Sequence, residues 1–208
     1  MRLVIVAAIT LLSLGATHGA SPQSRPACAF DLPLSPAQCA RLRAASGQPG
    51  HGWSTNSVGT LVYASQPFES AVDIWAPAGK KFKAAGVLAL APGSVPLGLT
   101  VDGAQNLYVA ISSFGSATPS VDVFARGTMT PNKIYTQGLS GPVDVAVDHH
   151  GTLYVANLAD PKGGGCAQGS GPGGSVVEYA KGSMAPTRTI ADFPGCPNAV
   201  AVDSGSRQ

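Results

Sequence analysis

The chain has 208 residues, of which 12% are charged, and it carries a net charge of +2. A balance this near neutral excludes an electrostatic case for binding nucleic acid or an anionic membrane. With 26 Gly and 17 Pro, the composition excludes a charged helical protein and points to a turn-rich, strand-rich domain large enough for a real core.

Residues 1–20 form a targeting segment. Arg2 gives the positive start, Leu3–Leu14 the apolar stretch, and Ala16-Thr17-His18-Gly19-Ala20 a small-residue exit. The stretch has the length of a signal-peptide core and is too short to span a bilayer. The mature protein is therefore expected outside the cytoplasm, secreted or periplasmic, with no membrane span. Residues 21–57 lack any β-period and read as an N-terminal extension and linker. Ser35–Ala45 suits a short capped helix, with Ser35 as cap and Pro36 in the first turn. In an exported chain four cysteines favour disulfides over metal or thiol chemistry. Cys28 and Cys39 are expected to staple the extension.

Residues 58–208 are repetitive. Gly141–Asn157 reads GPVDVAVDHHGTLYVAN. Val143, Val145 and Val147 recur at the period of a half-buried strand, His149-His150-Gly151 makes a turn, and Leu153-Tyr154-Val155 begins a second strand. Pro96, Leu99, Val101, Asp102, Leu107 and Tyr108 repeat Pro142, Val145, Val147, Asp148, Leu153 and Tyr154 at a spacing of 46 residues (Pro96 to Pro142). Pro197, Val200, Val202 and Asp203 match again at 55 (Pro142 to Pro197), and Leu61 falls one step earlier, 46 residues before Leu107. A fixed period in the forties marks a radial or stacked β-repeat.

Each repeat can be written as four strands, a to d. The first lacks strand a and has b near 60–65, c near 71–76 and d near 82–90. The second has a at 97–102, b at 106–112, c at 120–125 and d at 132–136. The third has a at 143–148, b at 152–157, c at 175–180 and d at 187–191. A last a strand is expected at Asn198–Asp203. Strand c closes each time on an aromatic and an alanine: Trp75-Ala76, Phe124-Ala125 and Tyr179-Ala180.

The motif P-x-x-V-A-V-D followed by G-x-L-Y-V-A-N resembles the NHL-type repeat of β-propellers, and the related repeats of secreted lactonase-type and lyase-type propellers. The resemblance covers Gly59–Asp203. It implies an all-β fold of four-stranded blades, about three of them here, as an open arc or partial propeller. The likeness is specific for architecture, because unrelated activities share such folds. The basic residue that the repeat often carries before strand c is replaced by Ser120 and by Gly174-Ser175.

Up-down-up-down strands send the b–c and d–a loops out at the same end of a sheet. The third repeat has its extra length in the b–c loop, Leu158–Gly174, which holds Cys166, while Cys196 lies in the following d–a loop. A Cys166–Cys196 bridge is therefore expected. Residues 169–174 match G-x-G-x-x-G, but a phosphate loop must follow a strand and open a helix, and this run leads into strand c. His149-His150 reads as a solvated turn, and the Asp148 carboxylate as a cap for turn amides.

Asp144, Asn157, Asp160 and Asn198 form a polar group near the b–c/d–a end of the third repeat and are the candidate ligand-binding residues. One acid among matched positions Gly98, Asp144 and Ala199 is fewer than a metal centre needs, and no nucleophile elbow or Ser/His/Asp set can be nominated. No catalytic residue, metal ligand or cofactor is assigned. The function expected is a binding module for a protein or small-molecule ligand. The competing class is a lactonase-like or lyase-like propeller enzyme, active or inactive. Three blades are too few to close, so either the frame is a fragment of a longer propeller or two chains form a homodimer by blade completion.

Overall fold

A computed structural model describes residues 60–113, 118–158, 173–191, 193 and 195–203. The segment expected to be a signal peptide, the expected extension with Cys28 and Cys39, and Asp160 and Cys166 in the third repeat lie outside the described residues. Within them the chain is all-β, with three antiparallel sheets, none closed. The first holds β1 (Val62–Gln66), β2 (Ala71–Ala78) and β3 (Lys81–Ala89). The second holds β4 (Ser94–Val101), β5 (Leu107–Ser113), β6 (Ser120–Phe124) and β7 (Lys133–Tyr135). The third holds β8 (Pro142–Val147), β9 (Leu153–Asn157), β10 (Ser175–Tyr179) and β11 (Arg188–Ile190). In every sheet the strands lie in chain order, as consecutive hairpins.

Alternation along each strand supplies two faces, and both faces of the second sheet are buried. Leu107, Val109, Ile111 and Phe124 pack on Val72, Ile74 and Leu88 of the first sheet. Ala110, Val121, Val123 and Tyr135 pack on Val145, Leu153, Val155, Val177 and Tyr179 of the third. At the second boundary the rings of Tyr135 and Tyr179 meet edge to face, with centroids 5.0 Å apart, a favoured aromatic geometry. The Tyr179 hydroxyl donates to Gln137 O in the β7–β8 connection. The closing aromatic of strand c thus ties its own sheet to the preceding one.

The repeat extends into the turns. Asp102 Oδ1 accepts from the amides of Ala104 and Asn106, both at 2.9 Å, and Asp148 Oδ1 accepts from His150 at 2.9 Å and Thr152 at 2.8 Å. The expected cap on the β8–β9 turn is therefore in place. Burial pushes the Asp148 carboxyl up, but the hydrogen bonds from Thr152 and His150 outweigh it and hold the group below its ordinary value of 3.8. Three residues after each Asp the chain turns left-handed, at Gln105 (φ 66°) and Gly151 (φ 86°). Glycine takes this conformation without strain, whereas Gln105 relies on the Asp102 cap around it.

Two details differ from the sequence pattern. Register makes Val62, not Leu61, the counterpart of Leu107 and Leu153, since Val62 pairs with Trp75, Leu107 with Phe124 and Leu153 with Tyr179. The first spacing is therefore 45 residues (Val62 to Leu107), which also aligns Tyr63, Tyr108 and Tyr154. A one-residue slip reverses the faces of a strand, so spacing by itself cannot fix this. The second difference is the last a strand: residues 198–203 are not a strand. A strand is made by its ladder, and no described strand pairs with this segment.

Burial, followed by the Asp102 charge for Tyr108 and by Tyr135 for Tyr179, holds both phenols well above the ordinary 10.0. The unfolded chain loses these protons first as pH rises, so the stabilisation is complete below pH 10.0 and declines above it. The melting temperature is expected to stay level until pH approaches 10.0 and then to fall. Tyr108→Phe and Tyr179→Phe should each flatten that fall in a thermal-unfolding pH series.

Candidate functional site

The end of the third sheet that holds the candidate residues is built around a bulge. Pro142 opens β8 and its counterpart Pro96 is the third residue of β4, and the pairing of each strand shifts just after its proline, between Pro96 and Leu99 and between Pro142 and Asp144. The irregularity falls within the two unspecified positions of P-x-x-V, over Leu97 and Gly98 in β4 and at Val143 in β8. Proline cannot donate to a ladder and is tolerated at such a break. The bulges place Gly98 of β4 against Asp144 of β8. A Cβ on Gly98 would collide with Asp144 and lie 2.8 Å from Val143 O, so the two inner strands can lie side by side only with glycine there.

Asp144 faces onward as well. Its Oδ2 accepts the Val200 amide at 2.9 Å. This holds residues 197–203 beside β8, the place that β8 itself occupies beside β4. Asn157, at the end of β9, is fully buried and turned towards the second sheet. Its Oδ1 accepts from Ser140 N at 3.1 Å, and its Nδ2 donates to Gly138 O at 3.1 Å and to Ser175 Oγ at 3.3 Å. All its side-chain polar atoms are thus used to pin the β7–β8 connection. Asn198 is exposed. Asp144 and Asn157 therefore share one end of the sheet but serve opposite sides of it, one towards residues 197–203 and the other towards residues 138–140.

The last residues of the long b–c loop, Gly173 and Gly174, lie at the same end. Gly173 N donates to Phe193 O at 3.1 Å. A Cβ on Gly174 would collide with Asn157 O and come within 2.9 Å of the Pro197 ring. The loop exit, the β9 terminus and the segment after β11 therefore converge, as strand direction requires. Cys196 lies in that segment and is disulfide-bonded. Gly173-Gly174 leads directly into β10 with no helix, so the G-x-G-x-x-G run has no helix N-terminus on which to hold a phosphate.

Elsewhere, the ring centroids of His149 and His150 lie 3.7 Å apart, with the planes tilted by 43°, in an exposed turn. Among the described residues no three His, Cys, Asp or Glu side chains are grouped as a metal site would require. Arg188 Nε donates to Glu178 Oε2 at 3.0 Å on the outer part of the third sheet. The Arg188 side chain is 64% exposed, so the pair contributes at most about 1 kcal/mol. No helix of the described residues is long and apolar enough to cross a membrane.

No protein-family model matches this chain, and no curated protein matches it. The architecture therefore rests on the sheets and their register.

Sequence spacing placed Asp144 and Asn157 at one end but missed the bonds that engage them. The signal for Asp144 was its match to Gly98, a pairing of acid with glycine that fits one inner strand laid against the next. Asn157→Ala strands the Ser140 amide and the Gly138 carbonyl, and should cost about 1–3 kcal/mol in denaturant unfolding. Gly98→Ala forces β4 and β8 apart and should cost a comparable amount, about 1–3 kcal/mol.

Proposed function

We propose that the protein is an exported β-propeller repeat protein of NHL type that acts as a binding module. Its binding surface is the b–c/d–a end of the third sheet, and its partner is a protein or small-molecule ligand; a second copy of the chain is a separate partner. The observation that carries this reading is the bond between Gly173 and Phe193, with Pro197 against Gly174. Together they set the exit of a long loop, Gly173-Gly174, beside the following connection at the end of a sheet. Loops presented in this way are where binding usually resides. A Cys166–Cys196 bridge, stabilising by roughly 2–4 kcal/mol, would pin the two segments, and the bonded state of Cys196 favours it. Neither nucleic acid nor a cofactor enters this reading. The sides of Asp144 and Asn157 already bonded within the fold leave the loop itself and Asn198 to meet the ligand.

Mass mapping of an unreduced digest should recover Cys166 joined to Cys196, whereas Cys28 joined to Cys166 would remove the separation between extension and repeats. For binding, the immobilised protein and a variant with residues 159–172 replaced by a short Gly-Ser linker are compared on the same extracellular fraction. Proteins or small molecules retained by the native chain should be lost from the variant. Equal retention by both overturns the assignment of the surface. Calcium- or zinc-dependent hydrolysis of a simple lactone, abolished by Asp144→Ala, would replace the binding module with an enzyme.

A further inference from the structure

The first sheet has three strands where its neighbours have four. The strands that correspond to β1 are β5 and β9, and each has an inner neighbour, β4 or β8. Among the described residues no strand stands inside β1. Its edge offers backbone donors and acceptors of the kind that recruit another strand.

Residues 197–202 carry the sequence of the missing element. Pro197, Val200 and Val202 repeat Pro142, Val145 and Val147 of β8, and Pro96, Leu99 and Val101 of β4. They lie in the third place of a row. Gly98 of β4 abuts Asp144 of β8, and Asp144 in turn holds the Val200 amide. No described strand pairs with them.

The flanking faces are complementary by the same equivalence. At the boundary between the second and third sheets, Tyr108 and Ala110 pack in the cluster that holds Leu153 and Tyr179. Tyr154 and Ala156 are the counterparts of Tyr108 and Ala110, and stand on the face of the third sheet turned away from that cluster, together with Ile190, which pairs with Val176. Val62 and Trp75 are the counterparts of Leu153 and Tyr179 and stand on the open face of the first sheet with Phe82, which pairs with Pro77. Val62 is 42% exposed, Phe82 52% and Ile190 43%. One sheet thus ends in the receiving half of a boundary and the other in the inserting half.

We propose that a second copy of this chain completes both, residues 197–203 of each copy adding to β1 of the other in a closed pair. Main-chain bonding of this type is strand addition, and the outer face of the third sheet of one copy then covers the open face of the first sheet of its partner. The three sheets of the described residues fall short of the four to eight that radial closure typically uses, and two copies of them supply six. The register is set by the existing sheets. Val147 pairs with Leu153 and Val145 with Val155, and Val101 pairs with Leu107 and Leu99 with Val109. Val202 of one copy therefore pairs with Val62 of the other, and Val200 with Ala64. The pairing depends on the repeat architecture and not on what the loop end binds, so a ligand-free protein serves to test it.

Light scattering on the purified protein should give a single species of two chains. Val62→Asp, at an exposed position, should give one chain with an unchanged far-ultraviolet dichroism spectrum. An equal mixture of isotopically labelled Val62→Cys and unlabelled Val202→Cys, mixed in denaturant with disulfides kept intact, refolded and mildly oxidised, should yield one labelled and one unlabelled peptide joined at these positions. Cross-strand neighbours fall within the Cα separation that a disulfide tolerates. A wild-type protein of one chain, as expected if earlier residues of the same chain cover β1, overturns the proposal. So does a ladder of sizes, or an oxidised mixture with no peptide joining positions 62 and 202.

Discussion

A sheet of alternating strands has two faces, and in this protein both carry apolar side chains. The second sheet shows the consequence most clearly: Leu107, Val109 and Phe124 are buried against one neighbour, and Ala110, Val121 and Val123 against the other. No single layer can remove both faces from water, so each sheet requires a sheet on either side. Every other feature follows from this demand. The repeat spacing sets one sheet per period, the turns are short, and the connections between sheets must be anchored because each carries the chain across a packed boundary.

Those anchors are polar and specific. Tyr179 reaches from β10 to the carbonyl of Gln137, and Asn157 satisfies both the amide of Ser140 and the carbonyl of Gly138. The same connection is thus held from two strands of the following sheet. Buried polar groups in such places are costly when unpaired, so they fix one arrangement of adjacent sheets. The Asp102 and Asp148 caps do similar work within a sheet, where a carboxylate replaces the ladder bonds that a tight turn cannot make.

The inner strands show how a small change in one repeat serves its neighbour. The two bulges bring β4 and β8 close enough that a side chain can be accommodated on only one of them, and the chain has Gly98 on the first and Asp144 on the second. Asp144 then carries a hydrogen bond to the next segment instead of a packing contact. A position that looks like the mouth of a ligand channel is here a link between an inner strand and the segment that follows the third sheet. The histidines of the β8–β9 turn, by contrast, take no part in any boundary.

Much of this was legible in the residues. Period-two alternation, the recurrence of Pro, Val and Asp, and the aromatic that ends each c strand determined the strand order and the all-β class, because burial on a pleated surface leaves a local mark at every second position. The caps were legible too, since an Asp bonds amides only two to four residues away. Strand direction also told which loops share an end, but the residues could not settle the register and facing of segments remote in the chain. Val62 rather than Leu61 is the true counterpart of Leu107, and only cross-strand register decides this, because a shift of one residue leaves the spacing almost unchanged while reversing the face. Asn157 and Asp144 looked like surface polar groups, and only the packing of one sheet on the next turned Asn157 inward. Residues 197–203 have the composition of a strand, yet a strand exists only where another offers its edge, and that is a property of the tertiary structure.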